Sequence, residues 1–491
     1  MPSDAALRPV HLDAVLDGLA RNPAFPADLV RRLFARREGL GDVALRPDLT
    51  PEMMAEIIGT GDHWLVHSLA LNPDVPSGTR IQLARHRDPA VRACLALRAE
   101  SGPREMFEVL AVDPDPRVRE HLAQNDQMPG DLRARLAADP DAKIRATLAE
   151  WWPQAPEPVR RILLTAPEDE VRAAACGTYY RRLPHPVPPA DLLPALLADP
   201  VTRAGAVPYI DLDSGTARSL AGDPDYKVRE RLAQHPDLPA RLRDLLADDQ
   251  SSYVRLRVFA RQDTPAGQRA AIHDRIMADA RLLHQPSLGN DLDEETEILH
   301  LLNDLAPLQL RMLRLPWVTA DPLPHIDSAY LCFRASAAMS ASLPPQAVAR
   351  LLDDEESDVR VAMAMHARDQ VDAVTAERID RGYQPAKKTI WRPADTFPLP
   401  SAMLRRMAAD PDPRMRVLAP RDPDLPAELA TLLAADPDAC VRQAIAPHPR
   451  LRTRDLLALL ADPSEPVASA AAASPSLPLA HMHQILGLAN L

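Results

Sequence analysis

DPDPRVREHLAQ begins at Asp113, and DPDAKIRATLAE begins at Asp139. A phrase that returns after about 26 residues constrains a chain strongly, because a unit that short cannot bury its own apolar face and must lean on its neighbours. One anchor of the phrase is an apolar residue followed by arginine. It stands at Val91-Arg92, Val118-Arg119, Ile144-Arg145, Val171-Arg172, Val228-Arg229, Val254-Arg255, Val359-Arg360, Met415-Arg416 and Val441-Arg442. Degenerate copies lie at Val66-His67, Val201-Thr202-Arg203, Phe333-Arg334 and Val467-Ala468. A second anchor, X-Pro then an apolar residue then Pro, follows roughly a dozen residues later. It reads NPAFP at 22–26, NPDVP at 72–76, HPDLP at 235–239 and DPDLP at 422–426.

Each phrase has a physical reading. In DPDYKVRERLAQ, Asp223 is expected to cap a helix, with Pro224 at its first position and Asp225 in its first turn. Val228, Leu232 and Ala233 then share one face, and Pro236 stops the helix. LPARLRDLLADD predicts a second helix with Leu242, Leu245 and Leu246 on its apolar stripe. Two helices of roughly 8–11 residues are too short to stand alone in water. They must stack, which makes the expected fold all-α, an α-solenoid of about 26-residue two-helix repeats. Roughly 16 such units would run on the order of 130–160 Å along the curve of the array.

Composition agrees. Aromatic residues are only 4% of the 491, prolines number 52 against 16 glycines, and hydrophobic residues still make up 46%. Short Ala/Leu helices punctuated by proline satisfy all three. The formal net charge is -12, with both signs interspersed, which argues for a solvated surface and against non-specific nucleic-acid binding. The lysines are Lys143, Lys227, Lys387 and Lys388, and every other basic residue is arginine. That bias is read as high-GC, bacterial coding rather than function. MPSDAALRPV has no basic stretch followed by an apolar run, so no signal peptide is expected. No apolar stretch reaches the ~18 residues of a membrane span. Cys94, Cys176, Cys332 and Cys440 lie too far apart for a disulfide framework, which points to a reducing, cytoplasmic location.

The copies DPDPRVREHLAQNDQMPGDLRARLAA, DPDYKVRERLAQHPDLPARLRDLLAD and DPDPRMRVLAPRDPDLPAELATLLAA carry a resemblance. They resemble the leucine-rich repeat variant, an architectural relative of HEAT and armadillo arrays, over residues 15–265 and 330–485. The resemblance implies a right-handed superhelix and, in the best-known form, alternating α- and 3₁₀-type helices. One member of that family holds an iron–sulfur centre on an N-terminal cysteine cluster. This chain has no such cluster, so no cofactor and no metal is carried over.

Two stretches break the period. Residues 266–326 lack the anchor and read as longer helices near 268–284 and 293–314 around QPSLGND, with the acidic DLDEETE at 291–297. Residues 380–400, DRGYQPAKKTIWRPADTFPLP, form a polar, proline-rich loop. The expected organisation is therefore an N-terminal array over 1–265, a helical insertion or irregular repeats over 266–326, and a C-terminal array over 327–491 with a loop insertion at 380–400. Insertions into a solenoid usually emerge on one face and carry contacts.

Five groups of residues could bear chemistry. The recurring arginine could hold phosphates, but an acid precedes it by four residues in Asp115/Arg119, Asp141/Arg145, Asp225/Arg229, Asp412/Arg416 and Asp438/Arg442. That is the favourable order of a helical ion pair, so a structural, neutralised ladder is expected. His63 and His67 have the spacing of a metal helix, but Trp64 stands where a zinc hydrolase needs Glu. The cysteines, all near the anchors, read as small buried core residues. HMH at 481–483 reads as part of a terminal capping helix. The scarce aromatics are more telling. Trp151 and Trp152 stand where other units have Gln-Asn or Gln-His, Tyr179, Tyr180, Arg181 and Arg182 follow one unit later, and Trp391 and Arg392 sit in the loop. Aromatics with arginine at inter-helix turns suit a peptide-binding ridge, or else an irregular packing layer. No phosphate loop, nucleophile elbow, HExxH or CxxC occurs. The expected function is a non-enzymatic protein-interaction scaffold binding a protein or peptide partner. The alternatives are a nucleic-acid-binding HEAT-like array of the DNA-alkylation-repair type, against which the acidic charge speaks, and an enzyme with its site in the insertions.

Overall fold

The structure, a computed structural model, describes residues 9–34, 41–98, 102–177, 185–283, 294–383 and 391–491. Among the described residues every regular element is a helix, and no strand occurs. Both helices of most units are α. The 3₁₀ segments are three-residue turns such as Leu136–Ala138 and Ala419–Arg421, so the alternation implied by the resemblance is not followed.

The chain divides into two compact units, residues 1–144 with 399–491, and residues 145–398. The breaks in the repeat phrase at 265 and 327 lie inside the second unit. In the first unit the first helices of successive repeats form one row. It passes through Ala439–Ile445, Glu465–Ala472, Leu12–Arg21, Gly41–Ala44, His63–Leu71, Pro89–Arg98 and Pro116–Gln124. Leu12–Arg21 thus stacks on Glu465–Ala472 as consecutive units stack on each other. Gly18 permits the approach: a Cβ there would lie 2.2 Å from the Ser469 carbonyl oxygen.

Two polar ladders tie unit to unit. The first belongs to the anchor arginine. Its partner in most repeats is the aspartate that opens the next phrase, a DP aspartate or its equivalent in Asp249-Gln250 and Asp354-Glu355, not the acid four residues earlier; Arg145 meets Glu168 at 2.6 Å instead. Arg92 meets Asp113 at 2.6 Å, Arg119 meets Asp139 at 2.8 Å, Arg229 meets Asp249 at 2.7 Å, Arg334 meets Asp354 at 2.8 Å, and Arg416 and Arg442 meet Asp436 and Asp462 at 2.6 and 2.7 Å. The acids four residues before are spent elsewhere: Asp115, Asp225, Asp412 and Asp438 cap their helices by accepting a backbone N–H. The cap in DPDYKVRERLAQ is therefore Asp225, two residues after the expected Asp223. Asp223 is itself buried, accepting from Arg203 at 2.8 Å and from the Asp225 N–H at 2.9 Å.

The second ladder belongs to the X of several X-Pro anchors and to Arg261, which holds the same place before Gln262. Asn72 donates to the carbonyls of Ala44 and Arg46 at 2.8 and 3.0 Å. Arg46, the X of the preceding unit, donates to Ala20 and Asn22 at 2.9 and 2.8 Å, and Arg261 donates to Ala233 and His235 at 3.1 and 2.7 Å. Each reaches back to the X carbonyl of the unit before and to the one two residues earlier. Asn22 makes the same pair of bonds to Ala472 and Ser474, at 2.8 and 2.7 Å, and Ser474 is the X of SPSLP. The register of the stack is therefore kept where residues 12–22 meet 465–474. His235 and His448 play the role through Nε2, to Ile210 and Asp422 at 3.1 and 2.9 Å. A carbonyl only accepts, so both rings carry the proton on Nε2.

In the second unit the described helices of the irregular stretch join the stack. Ala266–Leu283 and Glu294–Met312 pair, and the latter packs on both Ser252–Ala260 and Leu331–Ala337. Arg255, fully buried, pairs with Asp279 of the inserted helix in place of a DP aspartate. Trp317 donates Nε1–H to the Ala260 carbonyl at 3.0 Å, while the Phe259 and Arg261 carbonyls on either side are taken by Arg269. Two core expectations fail. Leu245 is 59% exposed because the buried face of its helix runs through Arg243 and Leu246 instead. Cys440 is exposed, while Cys94, Cys176 and Cys332 are buried as expected.

Candidate functional site

Tyr179, Tyr180, Arg181 and Arg182 lie outside the described residues. Trp151 ends the helix Ala142–Trp151, and both it and Trp152 are partly buried. Trp152 donates its backbone N–H to Leu148 at 2.8 Å and accepts from Ala155 at 3.1 Å. It occupies the X position of its repeat, the place from which Asn125 of the preceding repeat donates back to the Ala96 carbonyl at 2.7 Å. Trp391 sets its ring edge-on to Tyr383, with centroids 5.6 Å apart. Arg392 turns inward: its Nε donates to Asp380 at 2.9 Å, and Asp380 is 1% exposed. The Asp380 carboxylate also takes the Ala394 N–H at 2.9 Å, so Arg392 fastens the loop 391–395 to the helix Ala373–Arg381. The KKTI part of that loop is not among the described residues.

The anchor arginines offer no free cationic row, because their guanidiniums hold aspartates and their own unit's carbonyls. His63 bonds Asp88 at 2.7 Å and lies 5.8 Å from the His67 ring. Burial, then the neighbouring His63, lowers the pKa of His67. Among the described residues no group of three or more His, Cys, Asp or Glu could hold a metal ion.

Where the inserted helices meet the resumed repeats, a different site forms. Tyr330, Phe333, Phe259, Trp317 and His325 make one edge-to-face cluster, with centroids 5.2–6.0 Å apart. Arg269 lies over the Phe333 and Trp317 rings at 5.2 and 5.6 Å and donates to the Phe259 and Arg261 carbonyls. Burial pulls its pKa below the usual arginine range. In front of this cluster opens a cleft of about 440 Å³ lined by His273, Met277, Leu308, Arg311, Tyr330 and Cys332 among others. Pro307, inside Glu294–Met312, lines it too and lacks the N–H that would have bonded the preceding turn.

The polar groups there are mostly paired. Arg311 donates to Asp358 at 2.8 Å and Glu356 at 3.0 Å. Burial alone would lower its pKa, but these carboxylates outweigh it and raise it. Burial pushes the Cys332 thiol up to about 12, so it is protonated at neutral pH and a poor nucleophile. Burial likewise raises Tyr330, with Asp274 close enough to add to the effect. The chemistry this set supports is binding: an apolar wall with a polar mouth.

No protein-family model matches the chain, and no curated protein matches it. Among solved structures, the karyopherin Kap121p bound to RanGTP is similar at 14% identity, covering 86% of this chain and 48% of the other, with a TM-score of 0.24. Kap121p bound to the extreme C-terminus of the protein phosphatase Cdc14p is similar at 14% identity, covering 93% and 45%, with a TM-score of 0.20. The chain spans about half the length of the karyopherin chains it matches. A likeness at these scores identifies neither a fold nor a function for this chain.

Sequence reasoning missed the cleft. The signal was present: Trp317, Tyr330 and Phe333 fall within 17 residues of an aromatic-poor chain, next to the broken repeat. Their convergence with Phe259 depends on the inserted helices filling a place in the stack, which no periodic pattern announces.

Proposed function

We propose that the chain is a non-enzymatic protein-interaction scaffold, a helical solenoid that holds a protein or peptide partner at the cleft beside Tyr330. The observation that carries this reading is the cleft itself, an apolar recess backed by a rigid aromatic cluster in a chain whose other charged ladders are spent on stacking. The resemblance of the repeat phrase to leucine-rich repeat variant and HEAT-like arrays supports the same reading. Cys94, Cys176, Cys332 and Cys440 form no disulfide, which suits a reducing cytoplasm, and among the described residues no helix is long and apolar enough to cross a membrane. The test is affinity capture with the full chain, beside Leu308→Asp and, as a control in the other unit, Leu432→Asp. A partner held by the wild type and the control but lost by Leu308→Asp is expected. A wild type that holds no partner and turns over a substrate would overturn the proposal.

A further inference from the structure

We propose that the cleft beside Tyr330 receives a bulky apolar side chain of the partner polypeptide, and that a Lys or Arg flanks that side chain. This rests on the scaffold reading above and adds the chemistry of what is recognised.

Three observations carry it. The first is size. A recess of about 440 Å³ lies within the range that concave ligand sites occupy, so it admits a large side chain with some of its backbone. The second is the wall. Met277, Pro307, Leu308 and Tyr330 present apolar surface, and Met277 can adapt to an irregular shape. Behind them Phe333 and Phe259 hold the Tyr330 ring at 5.6 and 5.2 Å, so the recess exists before a ligand arrives. A preformed pocket loses less entropy on binding. The third is charge. Glu356 and Asp358 share the single guanidinium of Arg311, which leaves that group net negative. Asp274, beside Tyr330, has its side chain 83% exposed and meets the His273 ring at 3.2 Å. Glu355, next to Glu356, is 82% exposed, and the Arg334 it touches already holds Asp354. Two cations on these elements are occupied: Arg269 is enclosed by aromatic rings, and Arg314 donates to the Arg311 and Leu313 carbonyls. An incoming chain therefore meets an apolar recess rimmed by accessible carboxylates. That rim attracts a basic flank and repels an acidic one, which also disfavours a nucleic-acid phosphate.

The probe is a set of fluorescent nonapeptides with one central Leu, Met or Phe, flanked by Lys/Arg, by Ser or by Asp/Glu, titrated into the full chain by polarisation. Basic-flanked peptides should bind most tightly, roughly tenfold over the acid-flanked set at low salt, and the gap should shrink as salt rises. Leu308→Asp should weaken them roughly tenfold. Because Leu308→Asp could disturb packing, Asp274→Lys is the second variant: its exposed side chain leaves the core untouched, and it should narrow or invert the flank preference about threefold or more. Equal binding of acid- and basic-flanked peptides, no binding by any of them, or indifference to Asp274→Lys would each overturn the inference. If partner capture still depends on Leu308 while the flank preference is absent, the charge assignment fails and the scaffold reading stands. If no partner is captured at all, the scaffold reading fails.

Discussion

A guanidinium that reaches forward to the next unit does a different job from one paired within its own helix. Arg334 and Asp354 show it most clearly, with side chains 7% and 1% exposed. Arg334 also donates to the Ser328 carbonyl, and Asp354 accepts the Glu356 N–H, so each residue binds its own turn and its neighbour. Asp354→Ala should strand a buried cation and cost about 3–5 kcal/mol. The double change Arg334→Met, Asp354→Leu should cost less than the sum of the single changes, read from denaturant unfolding midpoints. Additive costs would mean that the two side chains are not coupled. The same ladder sets a pH dependence. In Asp199, Asp436 and Asp462 burial works to raise the carboxyl pKa, but backbone N–H groups and the anchor arginines outweigh it and hold each below the usual range. A folded pKa below the unfolded one adds stability that is complete above the unfolded value near about 3.9 and is lost as pH falls through the folded value. The melting temperature should therefore be level from pH 7 to about 5 and fall between about 4 and 2. A melting temperature that stays level down to pH 2 would show that the ladder does not matter to stability.

Helices approach each other differently at their glycines. A methyl at Gly18 would meet the Ser469 carbonyl oxygen at 2.2 Å and the Ala472 Cβ at 2.7 Å, both parts of a facing helix that cannot yield alone. Gly18→Ala should destabilise the first unit by about 1–3 kcal/mol. Gly59→Ala, in the helix Pro51–Thr60 with open space at the Cβ, should be neutral or stabilising by up to ~1 kcal/mol. Thermal melts of the two variants settle it, and equal midpoints would refute the close packing. Element identity was legible in the sequence because caps, prolines and apolar spacing act within one helix. Val228, Leu232 and Ala233 are buried together as their spacing implies. What was not legible is what acts between units. The acid four residues before each arginine suggested a local pair, yet Asp115 and Asp225 cap their helices and the true partner lies one unit on. Leu245 points outward because Arg243 holds the buried place. The cleft was hidden for the same reason, since its wall comes from helices on both sides of the broken repeat.

Within the first unit, residues distant in sequence share one stack, and this has a measurable consequence. Val15, Leu16 and Leu19 of Leu12–Arg21 and Val467, Ala471 and Ala472 of Glu465–Ala472 are buried on packed helices, with Asn22 supplying the ladder bonds to Ala472 and Ser474. Arg21 adds a bond to the Ser469 hydroxyl at 2.7 Å, and His11 bonds the Pro463 carbonyl at 2.9 Å. In a nearest-neighbour array, removing one unit bares the next, and the effect fades with distance along the stack. Deleting residues 1–34 should therefore speed amide exchange across Glu465–Ala472 by roughly tenfold or more, although over 400 residues of chain separate the two. The amides of Tyr226–Ala233, in the other unit, should keep their protection. Asn22→Ala should give a weaker version, because it leaves the packing and removes the two bonds to Ala472 and Ser474 with the Ala24 N–H bond to its Oδ1, a loss of about 1–3 kcal/mol for stranded buried groups. Unchanged exchange at 465–472 in the deletion would show that the junction contributes nothing to holding those helices. Faster exchange along the entire chain would show that the array unfolds as a whole rather than unit by unit.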